Sequence, residues 1–202
     1  RMDQKQMAEM IKEKQIDLVI DATHPFAQLV TGEIRGACEI SGVQYLRCLR
    51  EEMEAMPDEA DRVIWAQSVE DAVEYLQNTE GKILITTGSK ELLKYTKLTD
   101  YKEHCFARVL STEQAVMESV ALGFEGKHLI AMQGPFSKEM NVATIHQTGA
   151  KYFVTKESGK AGGFGEKVQA AKETGAVLVA VGRPKETGRT FSEVCKWLEK
   201  NL

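Results

Sequence analysis

Residues 16–27 read IDLVIDATHPFA. Ile16 to Ile20 form an apolar run of strand length. The chain then leaves that run through an Asp, a Thr, a His and a Pro in succession. Beyond them Phe26, Leu29, Val30, Ile34, Ala37 and Ile40 recur at three- and four-residue steps, which is one face of an amphipathic helix. Gly42 fits the C-terminal cap of that helix. Val43–Leu49, VQYLRCL, reads as the next strand, and Met7–Lys14 as a helix before the first. A strand, a helix and a second strand in this order form a β-α-β crossover, and such crossovers join parallel strands. This stretch therefore sets the fold class as α/β.

The pattern continues beyond it. Residues 51–61, EEMEAMPDEAD, are acidic and without periodicity, and read as a solvated connection. Arg62–Ala66 reads as a strand and Ser68–Gln77 as a helix. Further strands are expected at Lys82–Thr86, Cys105–Leu110, His128–Met132, Tyr152–Thr155 and Ala176–Val181, with helices between them. Ser111 with Gln114 has the form of a capping box for a helix that Gly123 closes. Short strands alternating with helices predict parallel, doubly wound sheets. The expected arrangement is two α/β domains, 1–78 and 79–202.

Composition narrows the function classes. The 202 residues are 43% hydrophobic and 28% charged, ordinary values for a globular protein. Net charge is −4, from 26 basic and 30 acidic side chains, so the basic footprint of a nucleic-acid binder is absent. No apolar run approaches the ~20 residues of a membrane span. The polar start, RMDQKQMAEM, is not a signal peptide, and the chain reads as cytoplasmic. Cys38, Cys48, Cys105 and Cys195 form no C-x-x-C pair. His104 and Cys105 are adjacent, so in a strand they point to opposite faces. The cysteines read as small reduced hydrophobes, and no metal site is expected.

Ligands of open α/β sheets bind outside the carboxyl ends of the strands. The loops expected there are DATHPFA (21–27), TTGSK (86–90), QGPFSK (133–138), TKESGKAGGFG (155–165) and VGRPKETGR (181–189). They hold Lys90, Lys138, Lys156, Lys160, Arg183, Lys185 and Arg189. A net-acidic chain thus gathers cations at one rim, where helix N-termini add positive potential. That combination suits a phosphate or carboxylate ligand. In DATHPFA, Thr23 or His24 can cap the next helix with Pro25 at its first position. His24 would then stand at the positive end of a helix, which favours its neutral form. The spacing of GKAGGFG does not fit G-x-G-x-x-G, and no Walker, G-x-S-x-G or H-E-x-x-H motif is present. With no nucleophile marked, the chemistry is of the kind a cofactor supplies.

Taken in order, IDATHPFA after a strand, then TTGSK, QGPFS, TKESG and VGRP resemble the precorrin-6A reductase family, whose anaerobic members act on cobalt-precorrin-6A. The resemblance runs through the whole chain, and DATHPFA paired with K-x-S-G at Lys156, Ser158 and Gly159 is its most specific part. It implies two α/β domains with a ligand cleft between them. It implies hydride transfer from NADPH or NADH to a ring-D double bond of a tetrapyrrole corrin precursor, in cobalamin biosynthesis. It implies cofactor contacts at Thr23, Pro25, Thr87, Gly88, Ser89, Lys156, Ser158 and Gly159. His24 would position the substrate or deliver a proton. Lys90, Gly134, Ser137, Lys138, Lys160 and Arg183 would meet the carboxylates of the macrocycle. Family members open with a glycine-rich βα unit, where nucleotide phosphates dock in such folds. Arg1 matches a point beyond that unit, so the expectation is a chain lacking it. Two rival readings are a transferase with a nucleotide-linked donor, which would bind nucleotide without consuming nicotinamide, and a non-catalytic domain that binds anionic ligands.

Overall fold

The first turn of the chain already carries a reciprocal cap. Asp3 accepts a hydrogen bond from the Gln6 backbone while Gln6 returns one from its side chain to the Asp3 N–H, which satisfies two of the free donors of a helix start. The structure, a computed structural model, describes residues 2–49, 63–159 and 162–201. The acidic stretch 51–61, Arg62 and Lys160 lie outside them.

In chain order the elements begin with α1 (Gln4–Glu13), β1 (Leu18–Asp21), α2 (Gln28–Ser41) and β2 (Gln44–Leu49). Next come β3 (Val63–Ala66), α3 (Val69–Gln77), β4 (Lys82–Ile85), α4 (Leu92–Tyr95), α5 (Tyr101–His104), β5 (Cys105–Val109), α6 (Glu113–Ala121) and β6 (Leu129–Ala131). The chain continues through α7 (Lys138–Thr148), β7 (Ala150–Lys156), α8 (Phe164–Thr174) and β8 (Val177–Val181) to β9 (Arg189–Thr190) and α9 (Phe191–Asn201). Two compact units result, Arg1–Glu52 with Pro184–Leu202, and Met53–Arg183.

The first unit holds a three-stranded sheet in the order β1-β2-β9, with both pairs parallel. Helices α1 and α2 bury Ala8, Ile11, Ala37 and Cys38 together, with Met7, Ile16, Val19 and Ile34 around them. Gly42 ends α2 in the left-handed region, at φ 70°, the conformation a side chain would strain.

The second unit holds a six-stranded sheet in the order β3-β8-β7-β4-β5-β6, and every pair is parallel. From β4 the chain winds outward to β5 and β6, then returns to β7 and winds the other way to β8. Strands β4 and β7 are therefore neighbours whose crossovers diverge, the switch point of a doubly wound sheet. Helices α7 and α8 cover one face, over a core that includes Leu84, Phe106, Ile145, Phe153, Phe164 and Leu178.

The structure departs from the sequence expectation in three places. The unit boundary is not at 78/79, because β3 pairs with β8 across more than a hundred residues of chain, and the final segment returns to pair β9 with β2. Pairing at such sequence separation leaves no local signal. Helix α6 is capped by Thr112, whose Oγ1 accepts from the Ala115 N–H at 3.3 Å, and not by Ser111. Gln114 instead donates to Glu118 on the exposed side of the helix. Helix α2 starts at Gln28, with Ala27 as a cap that lacks a side-chain hydrogen bond. Pro25 and Phe26 form a separate turn closed by the Ala27 N–H donating to the His24 carbonyl at 2.7 Å. Pro25 thus takes the second position of a tight turn, which its fixed φ also suits.

Candidate functional site

The turn after β1 is organised by a buried ion cluster. Asp21 is 2% exposed at the end of the strand. Its carboxylate accepts from the Thr23 N–H at 3.0 Å and from the Tyr45 hydroxyl at 2.9 Å, and pairs with Arg47 at 3.0 Å. Burial pushes this carboxyl up, but the hydrogen bonds from Thr23 and Tyr45 and the charge of Arg47 outweigh burial and hold it below its ordinary value. Burial, with the Asp21 carboxylate, pushes the Tyr45 phenol up to about 12.

Arg47, 4% exposed on β2, spans the turn. Its Nη1 donates to the Asp21 carbonyl and Thr23 Oγ1, and its Nη2 to the Thr23 carbonyl. Nη2 and Nε both reach Glu186 Oε1, at 2.7 and 3.1 Å. A planar fork with five donors can serve this many acceptors at once, which an ammonium cannot. Thr23 Oγ1 also lies 3.1 Å from Thr31 Oγ1 of α2. His24 Nδ1 accepts the Phe26 N–H at 3.3 Å, which leaves the proton of a neutral ring on Nε2. His24 precedes the helix start by a whole turn, so the expected place for it at the head of α2 is not observed, and the hydrogen bond from Phe26 sets its tautomer instead. Pro25 is buried.

In the second unit the loop after β4 meets the carboxyl end of β7 at the switch point, where Thr86 donates its N–H and its hydroxyl to the Val154 carbonyl. Thr87 is buried, and its hydroxyl donates to Tyr95 Oη at 3.2 Å. Gly88 has φ 98°, and a Cβ built on it would meet nothing within 4 Å, so the backbone borders open space there. Ser89 begins a short 3-10 turn (Ser89–Glu91) and donates to Glu118 at 3.1 Å. Lys90 is exposed.

Across from them Lys156 Nζ pairs with Glu91 Oε1 at 2.7 Å, and Lys94 pairs with the same carboxylate at 2.8 Å. Burial pushes Glu91 up, but its hydrogen bonds to Lys156 and Lys94 hold it below its ordinary value. The next loop residues close on themselves. Buried Glu157 accepts from the Gly159 N–H at 2.9 Å and from Arg183 Nη2 at 3.0 Å, and it also pairs with Arg183 Nε. Ser158 donates to the Gly162 carbonyl at 3.0 Å, and Gly159 takes φ 67°.

The remaining expected residues are more scattered. Gly134 and Ser137 flank Pro135 and Phe136 after β6, and the Ser137 hydroxyl caps α7 by accepting from the Met140 N–H. Lys138 makes an exposed pair with Glu173 of α8 at 2.8 Å. Several of the cations expected at the rim carry ion pairs. Lys138, Lys156 and Arg183 each hold a carboxylate. Sequence reasoning did not anticipate Glu91, Glu157 or Tyr95, which carry no motif. Arg47 did leave a signal, an Arg within the apolar strand VQYLRCL. A cavity of about 380 Å³ opens at the opposite edge of the sheet, beside Ile83, Leu98, Asp100 and Cys105 at the amino ends of β4 and β5, away from these loops.

These features define a doubly wound α/β protein whose polar, glycine-bearing loops converge at the switch point of a parallel sheet. Residues 1–199 match the family described as Precorrin-6x reductase CbiJ/CobK. The chain is 35% identical to a cobalt-precorrin-6A reductase of Priestia megaterium over 95% of its own length and 75% of that protein. It is also 35% identical to a cobalt-precorrin-6A reductase of Salmonella typhimurium, over 91% of the chain and 69% of that protein. A solved structure described as CobK precorrin-6A reductase superposes with a TM-score of 0.73 at 22% identity, covering 98% of this chain and 79% of its own, and it supports the fold. The chain belongs to the precorrin-6x reductase family, a family of oxidoreductases. No helix among the described residues is long and apolar enough to cross a membrane.

Proposed function

We propose that this chain reduces a ring-D double bond of cobalt-precorrin-6A with a hydride from NADPH or NADH, as a cytoplasmic step of cobalamin biosynthesis. The observation that carries this reading is the meeting of the loop after β4 with the carboxyl end of β7 at the sheet's switch point, in a chain that belongs to this family. Cobalt-precorrin-6A is favoured over its metal-free counterpart because relatives that share 33–35% identity bear the cobalt name, while those named for precorrin-6A share 26%.

The residues present fit a dinucleotide. The open space beside Gly88 lets a phosphate or ribose approach the backbone, which a side chain there would obstruct. Thr87, Gly88, Ser89, Lys156, Ser158 and Gly159 would hold the cofactor, with Thr23 and Pro25 as further contacts. The cofactor supplies the hydride. The carboxylates of the macrocycle would be met by Lys90, Gly134, Ser137, Lys138, Lys160 and Arg183. Lys156 would give up part of its pairing with Glu91 in favour of an anionic ligand. His24 would present its Nε2 proton for positioning or proton delivery.

The test is a titration with NADPH, and separately NADH, followed by turnover with enzymatically prepared cobalt-precorrin-6A. Saturable binding and stoichiometric consumption of nicotinamide are expected. Binding of nucleotide with no consumption in the presence of the macrocycle would overturn the reductase reading.

A further inference from the structure

Every residue of β5, CFARV, is buried, and one of them is Arg108. Strand alternation puts Arg108 on the face of Phe106, against the core beneath α7 and α8. The side chain is held firmly. Its Nη2 donates to Asn141 Oδ1 of α7 at 2.8 Å. Asn141 is wholly buried and is itself fixed by donating to the carbonyls of Phe136 and Ser137. The Phe136 ring lies 4.0 Å from the guanidinium carbon, and the Phe153 ring of β7 lies 5.9 Å from it. Arg108 is 5% exposed, and its Nη1 is buried without a hydrogen-bond partner among the described residues.

A second cation stands nearby. Lys167, one turn into α8, donates from Nζ to Thr155 Oγ1 of β7 at 2.8 Å. Burial pulls its ammonium down to about 8, with the charge of Arg108 as the next cause, and burial pulls Arg108 down to about 10. Among the described residues neither cation forms an ion pair with a carboxylate. Glu166 favours the charged Lys167 only from a distance. Folded proteins bury cations with counter-charges, yet here two share a neighbourhood and an open donor without one. Arg108 stands on β5 and Thr155, the partner of Lys167, on β7, the two strands that flank the switch-point strand β4.

We propose that Arg108 and Lys167 form a buried oxyanion subsite at the carboxyl ends of β5 and β7, which takes one carboxylate or phosphate group of the ligand. Nη1 of Arg108 and the two unused N–H groups of Lys167 are its donors, and Phe136 roofs the guanidinium. The identity of the ligand rests on the reductase reading. The oxyanion is then a carboxylate of the macrocycle or a phosphate of the dinucleotide.

The experiment uses the full chain and its R108M and K167M variants, each titrated by fluorescence with uroporphyrin III, a tetrapyrrole octacarboxylate, and with NADPH. Both variants are expected to lose at least tenfold in affinity for the same probe and to keep the other within twofold. Loss of uroporphyrin assigns the subsite to a macrocycle carboxylate, and loss of NADPH assigns it to a phosphate. Folded variants that bind both probes as the parent does overturn the proposal, as do variants that lose different probes. If R108M does not fold, K167M decides together with inorganic phosphate, which should raise the melting temperature of the parent and not that of K167M. A parent chain that neither probe nor phosphate engages also overturns it. These readouts record binding, so intact binding through Arg108 and Lys167 without nicotinamide consumption would end the reductase reading alone.

Discussion

The turn at 21–27 and the loop at 155–165 are equally rich in polar residues, yet they are built on opposite principles. The first is held from outside. Arg47, from the next strand, is buried and threads Asp21, Thr23 and Glu186 together. The second is held from within and at its edge. Ser158 bonds Gly162, Glu157 bonds Gly159, and Lys156 leans on Glu91 with about a fifth of each side chain exposed. A buried hub makes a turn rigid and intolerant of change. A partly wet ion pair can exchange its carboxylate for a ligand's at small cost. The first turn is therefore built as a strut, and under the proposed function the second is where a ligand would be gripped.

The sharpest way to break this contrast is R47M. It would leave the Asp21 carboxylate buried without its cation, and removing one partner of a buried pair costs about 3–5 kcal/mol. Chemical denaturation should show a loss of that size, with R47K recovering only part of it because the fork is lost. A loss below about 1 kcal/mol would make the hub dispensable and end the comparison. T87V comes next. It strands the buried Tyr95 hydroxyl, at a cost of about 1–3 kcal/mol, readable in the same denaturation experiment.

Acid sensitivity sharpens the contrast further. Glu91 is held below its ordinary 4.5 in the folded state. The unfolded chain therefore binds its proton first, and the stabilisation, fully present above 4.5, is lost as pH falls through the depressed value. Melting temperatures measured down the acid range should decline less steeply in E91Q than in the parent, and equal slopes would remove Glu91 from the account. The smallest structural effect is expected from K156A. Glu91 keeps its pair with Lys94 when Lys156 is removed, so K156A should lose no more than about 1 kcal/mol and fold as the parent does, while binding NADPH or uroporphyrin III roughly tenfold more weakly. K127A, at an exposed position before β6 and outside these loops, serves as its control and should change neither measurement. Unfolding of K156A would make Lys156 a structural residue.

The α/β class was legible because period-2 and period-3.6 patterns are local, and each β-α-β unit states its own handedness. The strand positions follow closely, as with Cys105–Val109 and Val177–Val181. The loops at the carboxyl ends were legible because glycine, proline and short polar residues mark them. The division into units was not, since β3 joins β8 and β9 joins β2 by pairing remote segments. Arg47 and Arg108 show what lies between. Each is visible in the sequence as a cation inside an apolar strand, and in neither case do neighbouring residues say what it meets. Arg47 meets Asp21 and Glu186, while Arg108 meets an amide and two aromatic rings.

By itself, then, the sequence determined the kind of protein this is: parallel strands, helices between them, and polar loops at one edge, all carried by residues a few positions apart. Only the tertiary structure decided which of those polar residues are bound to one another. Burial and pairing depend on side chains brought together across the whole chain, and the meaning of a charge changes with them. Lys138 becomes an ordinary surface ion pair, Arg47 becomes the hub of a turn, and Arg108 is left with a donor that no described residue satisfies.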